Sequence, residues 1–238
     1  MTYSMDDLKH LMARLRDPDT GCPWDTRQTF RTIVPHTLEE AHEVADAINR
    51  EDYPHLEDEL GDLLFQVIFY SQMGQEQNHF NFDSVVDNLV RKLVRRHPHV
   101  FPDGTLESRI DPDNRPDEAW IKASWERIKA EERAAKPEAE PDNSRLGGIA
   151  RTLPAMVRAE KLQRRAANHG FDWPEIEPVF DKLHEEIDEL KEAWYDAQSG
   201  KGDAAAVEDE LGDVLFVCVN LARFMKVNPE QALNGTNH

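Results

Sequence analysis

Along most of this chain apolar residues recur at the three-to-four-residue period of a helix face, and no run alternates as a half-buried strand would. The pattern predicts helices over Ser4–Arg16, Pro35–Asn49, Pro54–Gln75, Phe82–Arg96, Pro116–Ala134, Leu153–Asn168, Pro174–Gln198 and Asp203–Met225, with a last one opening at Asn228-Pro229. There Asn228 is an N-cap residue and Pro229 takes the first helical position, where its missing N–H costs nothing. The expected fold is all-α. The run AAKPEAEPDNSR, Ala134 to Arg145, carries two prolines, charges and no large apolar residue, so it reads as an exposed linker. This divides the chain into a first unit at 1–135, a linker at 136–145 and a second unit at 146–238.

The two units resemble each other. EDELGDLLF, Glu57 to Phe65, returns as EDELGDVLF, Glu208 to Phe216. Each is preceded by an acidic helical segment, TLEEAHEVADAI from Thr37 and LHEEIDELKEAW from Leu183, so that Glu39, Glu40 and Glu43 match Glu185, Glu186 and Glu189. A longer connector containing Ser199-Gly200-Lys201-Gly202 separates the two blocks in the second copy. Gly21-Cys22-Pro23-Trp24-Asp25 loosely parallels Gly170-Phe171-Asp172-Trp173-Pro174, which extends the duplication over most of each half.

Composition narrows the partners. At 238 residues, 28 Lys+Arg stand against 47 Asp+Glu, a formal charge of −19, which repels nucleic-acid duplexes and anionic membranes. Disorder does not follow from that charge, because 39% of residues are hydrophobic and fall in periodic segments. Cys22 and Cys218 are too few for a disulfide framework or a CxxC metal site, and no apolar run reaches membrane length. A soluble, unexported cytoplasmic protein is expected.

The acids themselves are placed oddly for a solvated face. On the helix from Asp203, Glu210 falls between Val217 and Leu221 within the apolar arc, with Asp213 and Asn220 along its edge. Glu59 and Asp62 repeat this in the first copy. Two antiparallel helices carrying ExxE and ExxD gather four carboxylates at one level of a bundle, and such a cluster demands a cation. Oxygen-only ligation suits Mg²⁺, or Mn²⁺, better than zinc, and Mg²⁺ is commonly completed by substrate phosphates. The chemistry indicated is metal-assisted attack of water on a phosphate chain. Two rivals are an acidic, non-catalytic helical regulator and a di-iron carboxylate bundle. The first leaves the repeated spacing unexplained. The second needs a histidine in both copies, whereas Glu39-x-x-His42 is matched by Asp188.

EExxE followed by ExxD, present in full twice, resembles the signature of the all-α nucleoside triphosphate pyrophosphohydrolases. GCPWD at Gly21–Asp25, RRHPHVFPDG at Arg95–Gly104 and GFDW at Gly170–Trp173 make the chain similar to the MazG family in particular. The resemblance implies a tandem duplication of a MazG-like helical unit with four-helix-bundle-type sites, completed in a homodimer. It implies hydrolysis of NTPs and dNTPs at the α–β bond to monophosphate and pyrophosphate, as nucleotide-pool house-cleaning. Metal ligands would be Glu40, Glu43, Glu59 and Asp62 in the first copy and Glu186, Glu189, Glu210 and Asp213 in the second, with Glu39 and Glu185 as water-orienting bases or supporting groups. Lys161 resembles a phosphate-contacting lysine of the second site, and Lys92, Arg95 and Arg96 would serve the first.

Other positions keep two readings. Trp24 and Trp173 could stack on a nucleobase or plug the core; Asn220, matched by Phe69, could orient substrate or metal. His10, His36 and His42 read as surface or capping groups. The family continues beyond His238 with a basic helix, so either the second site lacks those cations or the sequence is truncated. The oriented amide favours the second copy as the working one.

Overall fold

The computed structural model describes residues 2–135 and 146–237, so the 136–145 linker lies outside the described residues. All regular structure among the described residues is helical, and no described helix is long and apolar enough to cross a membrane. The chain divides into two compact units, Met1–Lys136 and Pro137–His238.

The first unit contains α1 (Met5–Leu15), α2 (Phe30–Asn49), α3 (Tyr53–Glu76), α4 (Phe82–Arg96) and α5 (Glu118–Ala135). The second contains α6 (Ala155–Asn168), α7 (Glu177–Ser199), α8 (Ala204–Phe224) and α9 (Pro229–Thr236). In the first, α2 and α3 form a hairpin, and α1 and α4 pack on α3. In the second, α7 and α8 form the hairpin, and α6 and α9 pack on α8. The packing scheme is therefore the same in both, with α3 and α8 as the central helices. Only α5 has no counterpart among the described residues.

Local chemistry sets the helix ends. α2 begins at Phe30, earlier than the Pro35 start expected from sequence, because Thr29 and Thr32 cap each other reciprocally across its first turn. Ile33, only 1% exposed, anchors that turn in the core. Pro35 then lies inside the helix, where it forgoes only the bond its N–H would have given Arg31. α7 begins at Glu177, not at Pro174, and ends at Gly200, whose φ of 74° is the left-handed C-cap that glycine adopts without strain. Asp203 accepts from the Ala206 N–H to start α8.

Met12, Ile33, Ile68, Phe69 and Met73 form the core of the first unit, flanked by Leu8, Phe30, Leu64, Phe65, Tyr70 and Phe82. Val179, Val217 and Leu221 form a smaller one in the second, with Ile176, Leu183 and Phe224 against it. Outside these cores, α5 is tied to α4 by charge. Arg95 and Arg96 both donate to the Glu132 carboxylate and hold its pKa down to about 2. A carboxyl lowered on folding stabilises above its ordinary value of 4.5 and loses that contribution as pH falls through the folded value. The α5 attachment is accordingly expected to loosen between about pH 4.5 and pH 2, read by the fluorescence of the half-exposed Trp120 and Trp125. Glu132→Gln should show the loosened signal already at neutral pH.

Candidate metal centre

Each hairpin brings a matching trio of carboxylates together. Oxygens of Glu40, Glu43 and Glu59 lie within 4.8 Å of one another in the first unit, and those of Glu186, Glu189 and Glu210 do so in the second. Two acids come from the first helix of the hairpin and one from the second, as the ExxE and ExxD spacing requires. Asp62 and Asp213 are exposed and stand outside these groups. Asp62 still acts on the cluster. Burial first, then the charges of Asp62, Glu43, Glu59 and Glu39, push the Glu40 carboxyl above its ordinary pKa. Desolvation, followed by a hydrogen bond shared with Glu186, pushes Glu189 up as well. Carboxylates raised by one another are what a divalent cation relieves, and the all-oxygen donor set fits Mg²⁺ or Mn²⁺. His42 belongs to neither group, so a Glu-x-x-His di-iron arrangement is not assembled.

The two copies differ in which acid is buried and in the group that lies beside it. In the first, Glu59 of α3 is buried and His55, one turn earlier, lies 3.0 Å away. In the second, Glu186 of α7 is buried and Lys182, again one turn earlier, lies 3.0 Å away while also reaching Glu185 at 2.8 Å. Those two bonds, that to Glu185 first, hold the Lys182 ammonium above the ordinary lysine pKa. Neither His55 nor Lys182 is among the residues expected from sequence. Their signal was the i, i+4 step to a glutamate on the inner face, visible as His55-x-x-x-Glu59 and Lys182-x-x-x-Glu186.

The seam beside the cluster also differs. Thr37 and Tyr70 share a hydrogen bond of 2.9 Å across the α2–α3 hairpin. Gln66, buried on the same stripe of α3, has an oxygen with no partner among the described residues. At the matching places the second unit has Leu183, Leu221 and Val217, which pack together.

The remaining expected residues are spread more widely. Trp24 is half-exposed and meets the His36 ring edge-on at 5.8 Å, one turn before Glu39 and Glu40. Its loop is held by Arg16, which donates to the carbonyls of Asp25 and Gln28 and pairs with Glu76 at the end of α3. Trp173 is likewise half-exposed, so neither tryptophan is a core plug. Glu39 and Glu185 are exposed beside their trios. Arg95 and Arg96 are engaged by Glu132, and Lys92 has no ion-pair partner among the described residues. Lys161 is exposed on α6, the helix whose Gln163 donates to the Phe216 carbonyl of α8. Asn220 accepts two hydrogen bonds from Arg223.

This is an all-helical protein with a carboxylate cluster in each unit. The MazG nucleotide pyrophosphohydrolase domain matches residues 28–101 and 176–237, one segment in each unit. The nucleoside triphosphate pyrophosphohydrolase of Escherichia coli (strain K12) is 50% identical over 98% of this chain and 82% of its own length. The nucleoside triphosphate pyrophosphohydrolase/pyrophosphatase MazG of Thermotoga maritima is 38% identical over 96% of this chain and 79% of its own. The chain belongs to the MazG family of nucleotide pyrophosphohydrolases and is an enzyme, which removes the reading as a non-catalytic acidic regulator.

Proposed function

We propose that this enzyme hydrolyses NTPs and dNTPs at the α–β phosphate bond, releasing monophosphate and pyrophosphate, in a Mg²⁺-dependent reaction that clears nucleotides from the cytoplasmic pool. The observation that carries this reading is the recurrence of one carboxylate trio, at matching positions, in both hairpins. When bound, the cation neutralises polyphosphate charge and makes water a nucleophile at neutral pH. Glu186, Glu189 and Glu210 would hold it in the second repeat and Glu40, Glu43 and Glu59 in the first, with Asp213 and Asp62 as the fourth acid of each set. Glu185 and Glu39, exposed at the rim, orient the attacking water and accept its proton. Lys182, which pairs with Glu185 and Glu186, would supply an ammonium for a phosphate oxygen. Lys161, and Lys92 in the first repeat, would serve as further phosphate-contacting cations. Trp24 and Trp173, half-exposed, offer stacking faces to a base.

The three blocks of the chain, 1–135, 136–145 and 146–238, are read as two MazG-like repeats and their linker. Their hairpins leave large apolar residues uncovered, among them Leu38 and Leu60 in the first and Leu211 and Leu215 in the second, each about half-exposed. A homodimer that completes four-helix bundles covers such faces. Light scattering in solution tests this; a monomer at micromolar concentration overturns it.

The assay that tests the activity is release of pyrophosphate from an NTP with Mg²⁺ present and after chelation. Pyrophosphate is expected only with the metal. Orthophosphate alone, or turnover that survives chelation, would overturn the proposed bond or the proposed cation.

A further inference from the structure

A continuous chain of hydrogen bonds runs from the Trp173 loop to the end of α8. Asp172 Oδ1 accepts from the backbone N–H of Trp173 at 2.9 Å. Arg223 grips both oxygens of Asp172, at 3.0 Å through Nη1 and 2.5 Å through Nη2. The same guanidinium donates to Asn220 Oδ1 through Nε at 2.9 Å and Nη2 at 2.7 Å. Arg223 is held rigidly: its side chain is 12% exposed and its guanidinium lies over the Phe224 ring at 4.6 Å. The pairing keeps the Asp172 carboxyl below the ordinary carboxylate range.

The chemistry of arginine fixes which way the amide points. A guanidinium has donors and no acceptor, so Asn220 must turn its oxygen toward Arg223 and its NH₂ away. That NH₂ has no acceptor among the described residues and is not sealed from solvent. Asn220 stands two helical turns beyond Asp213 on the same face of α8, which places it about 10 Å further along the helix. A nucleotide whose phosphates are held at the carboxylates covers that distance.

We propose that Arg223 is a positioning residue of the second repeat's site: it presents Asn220 as a hydrogen-bond donor to an acceptor oxygen of the nucleotide and ties the Trp173 loop to that donor. The proposal rests on the reading of this repeat as a hydrolytic site. It also decides between the two roles sequence left open for Asn220. An amide oxygen already taken by an arginine does not ligate a cation, so the residue serves substrate. The first repeat lacks the device. Phe69 fills the place of Asn220 and is fully buried, Gln72 stands at the place of Arg223, and the loop there is held by Arg16 instead.

The discriminating variant is Asn220→Asp, which keeps an oxygen for Arg223 and exchanges the NH₂ donor for a charged acceptor oxygen. In the full-length enzyme with Mg²⁺, its KM for an NTP is expected to rise at least about tenfold, one lost hydrogen bond plus the repulsion of the added charge, with an unchanged or higher melting temperature. Arg223→Gln should raise KM similarly, and Arg223→Lys should recover part of the loss. Product inhibition identifies the acceptor: weakened inhibition by pyrophosphate assigns it to the phosphate tail, and weakened inhibition by the monophosphate assigns it to the nucleoside, either supporting the donor role. Wild-type KM and kcat in Asn220→Asp, with Glu189→Gln inactive, overturn the proposal alone. If Glu189→Gln is as active as wild type, the site itself falls and the proposal with it.

Discussion

Glu189→Gln is expected to lower pyrophosphate release by about 100-fold or more, while Glu43→Gln leaves most of it. Glutamine keeps the shape of the side chain and removes the charge, so the second trio loses a carboxylate without a cavity. Disturbing even the residues that support metal ligands typically costs 10–100-fold, so loss of a ligand sits at or beyond that range. The asymmetry between the two variants follows from the surroundings. The second repeat combines Lys182, Asn220 and the exposed Lys161, whereas the first has its two arginines committed to Glu132. Direct Mn²⁺ titration should show one class of sites lost in each variant. If Glu43→Gln alone abolishes turnover, the first repeat is the working one. If neither does, the carboxylates are not the catalytic metal site.

Phe69→Ala is expected to destabilise the first unit by about 3–5 kcal/mol, the range for removing a fully buried aromatic ring. Phe69 is 0% exposed, meets Phe65 edge-on at 5.8 Å and lies under the Arg16 guanidinium at 5.3 Å. The loss would therefore reach Arg16, and through it the loop carrying Trp24. Denaturant unfolding should show the first unit melting ahead of the second. A cost below about 1 kcal/mol would mean that the core collapses into the space, contrary to its close packing. Phe69→Asn, which copies the second repeat, should cost at least as much, because the amide would enter an apolar core without the arginine that satisfies it in α8.

Much of the centre was legible because it depends on helical spacing alone. ExxE on one helix and ExxD on the next place Glu186, Glu189 and Glu210 together whatever surrounds them. Asp62 and Asp213 were harder, since their rotation toward solvent depends on how deep each helix sits against its neighbour. Residues that act by pairing across the fold were not legible. Nothing in sequence links Arg223 to Asp172, about fifty residues earlier, or Arg95 and Arg96 to Glu132, since those bonds exist only once helices pack. The start of α2 was misplaced for a local reason. Pro35 is a strong boundary signal, and the reciprocal Thr29–Thr32 cap overrides it.

The contrast between the two hairpin seams bears on how a duplicated chain avoids pairing with itself wrongly. α2 and α7 carry nearly the same acidic motif, and α3 and α8 nearly the same EDELGD block, so either first helix could seek either second helix during folding. An exchanged pair of α2 with α8 would set Thr37, whose hydroxyl also donates to the Ile33 carbonyl, against Leu221, and α7 with α3 would set Leu183 against Tyr70 and strand the tyrosine hydroxyl. Each stranded polar group costs about 1–3 kcal/mol. The correct pairing loses nothing of this kind at Thr37 and Tyr70, so the polar seam of one repeat and the apolar seam of the other act as a code that tells each strand of the duplication which neighbour is its own.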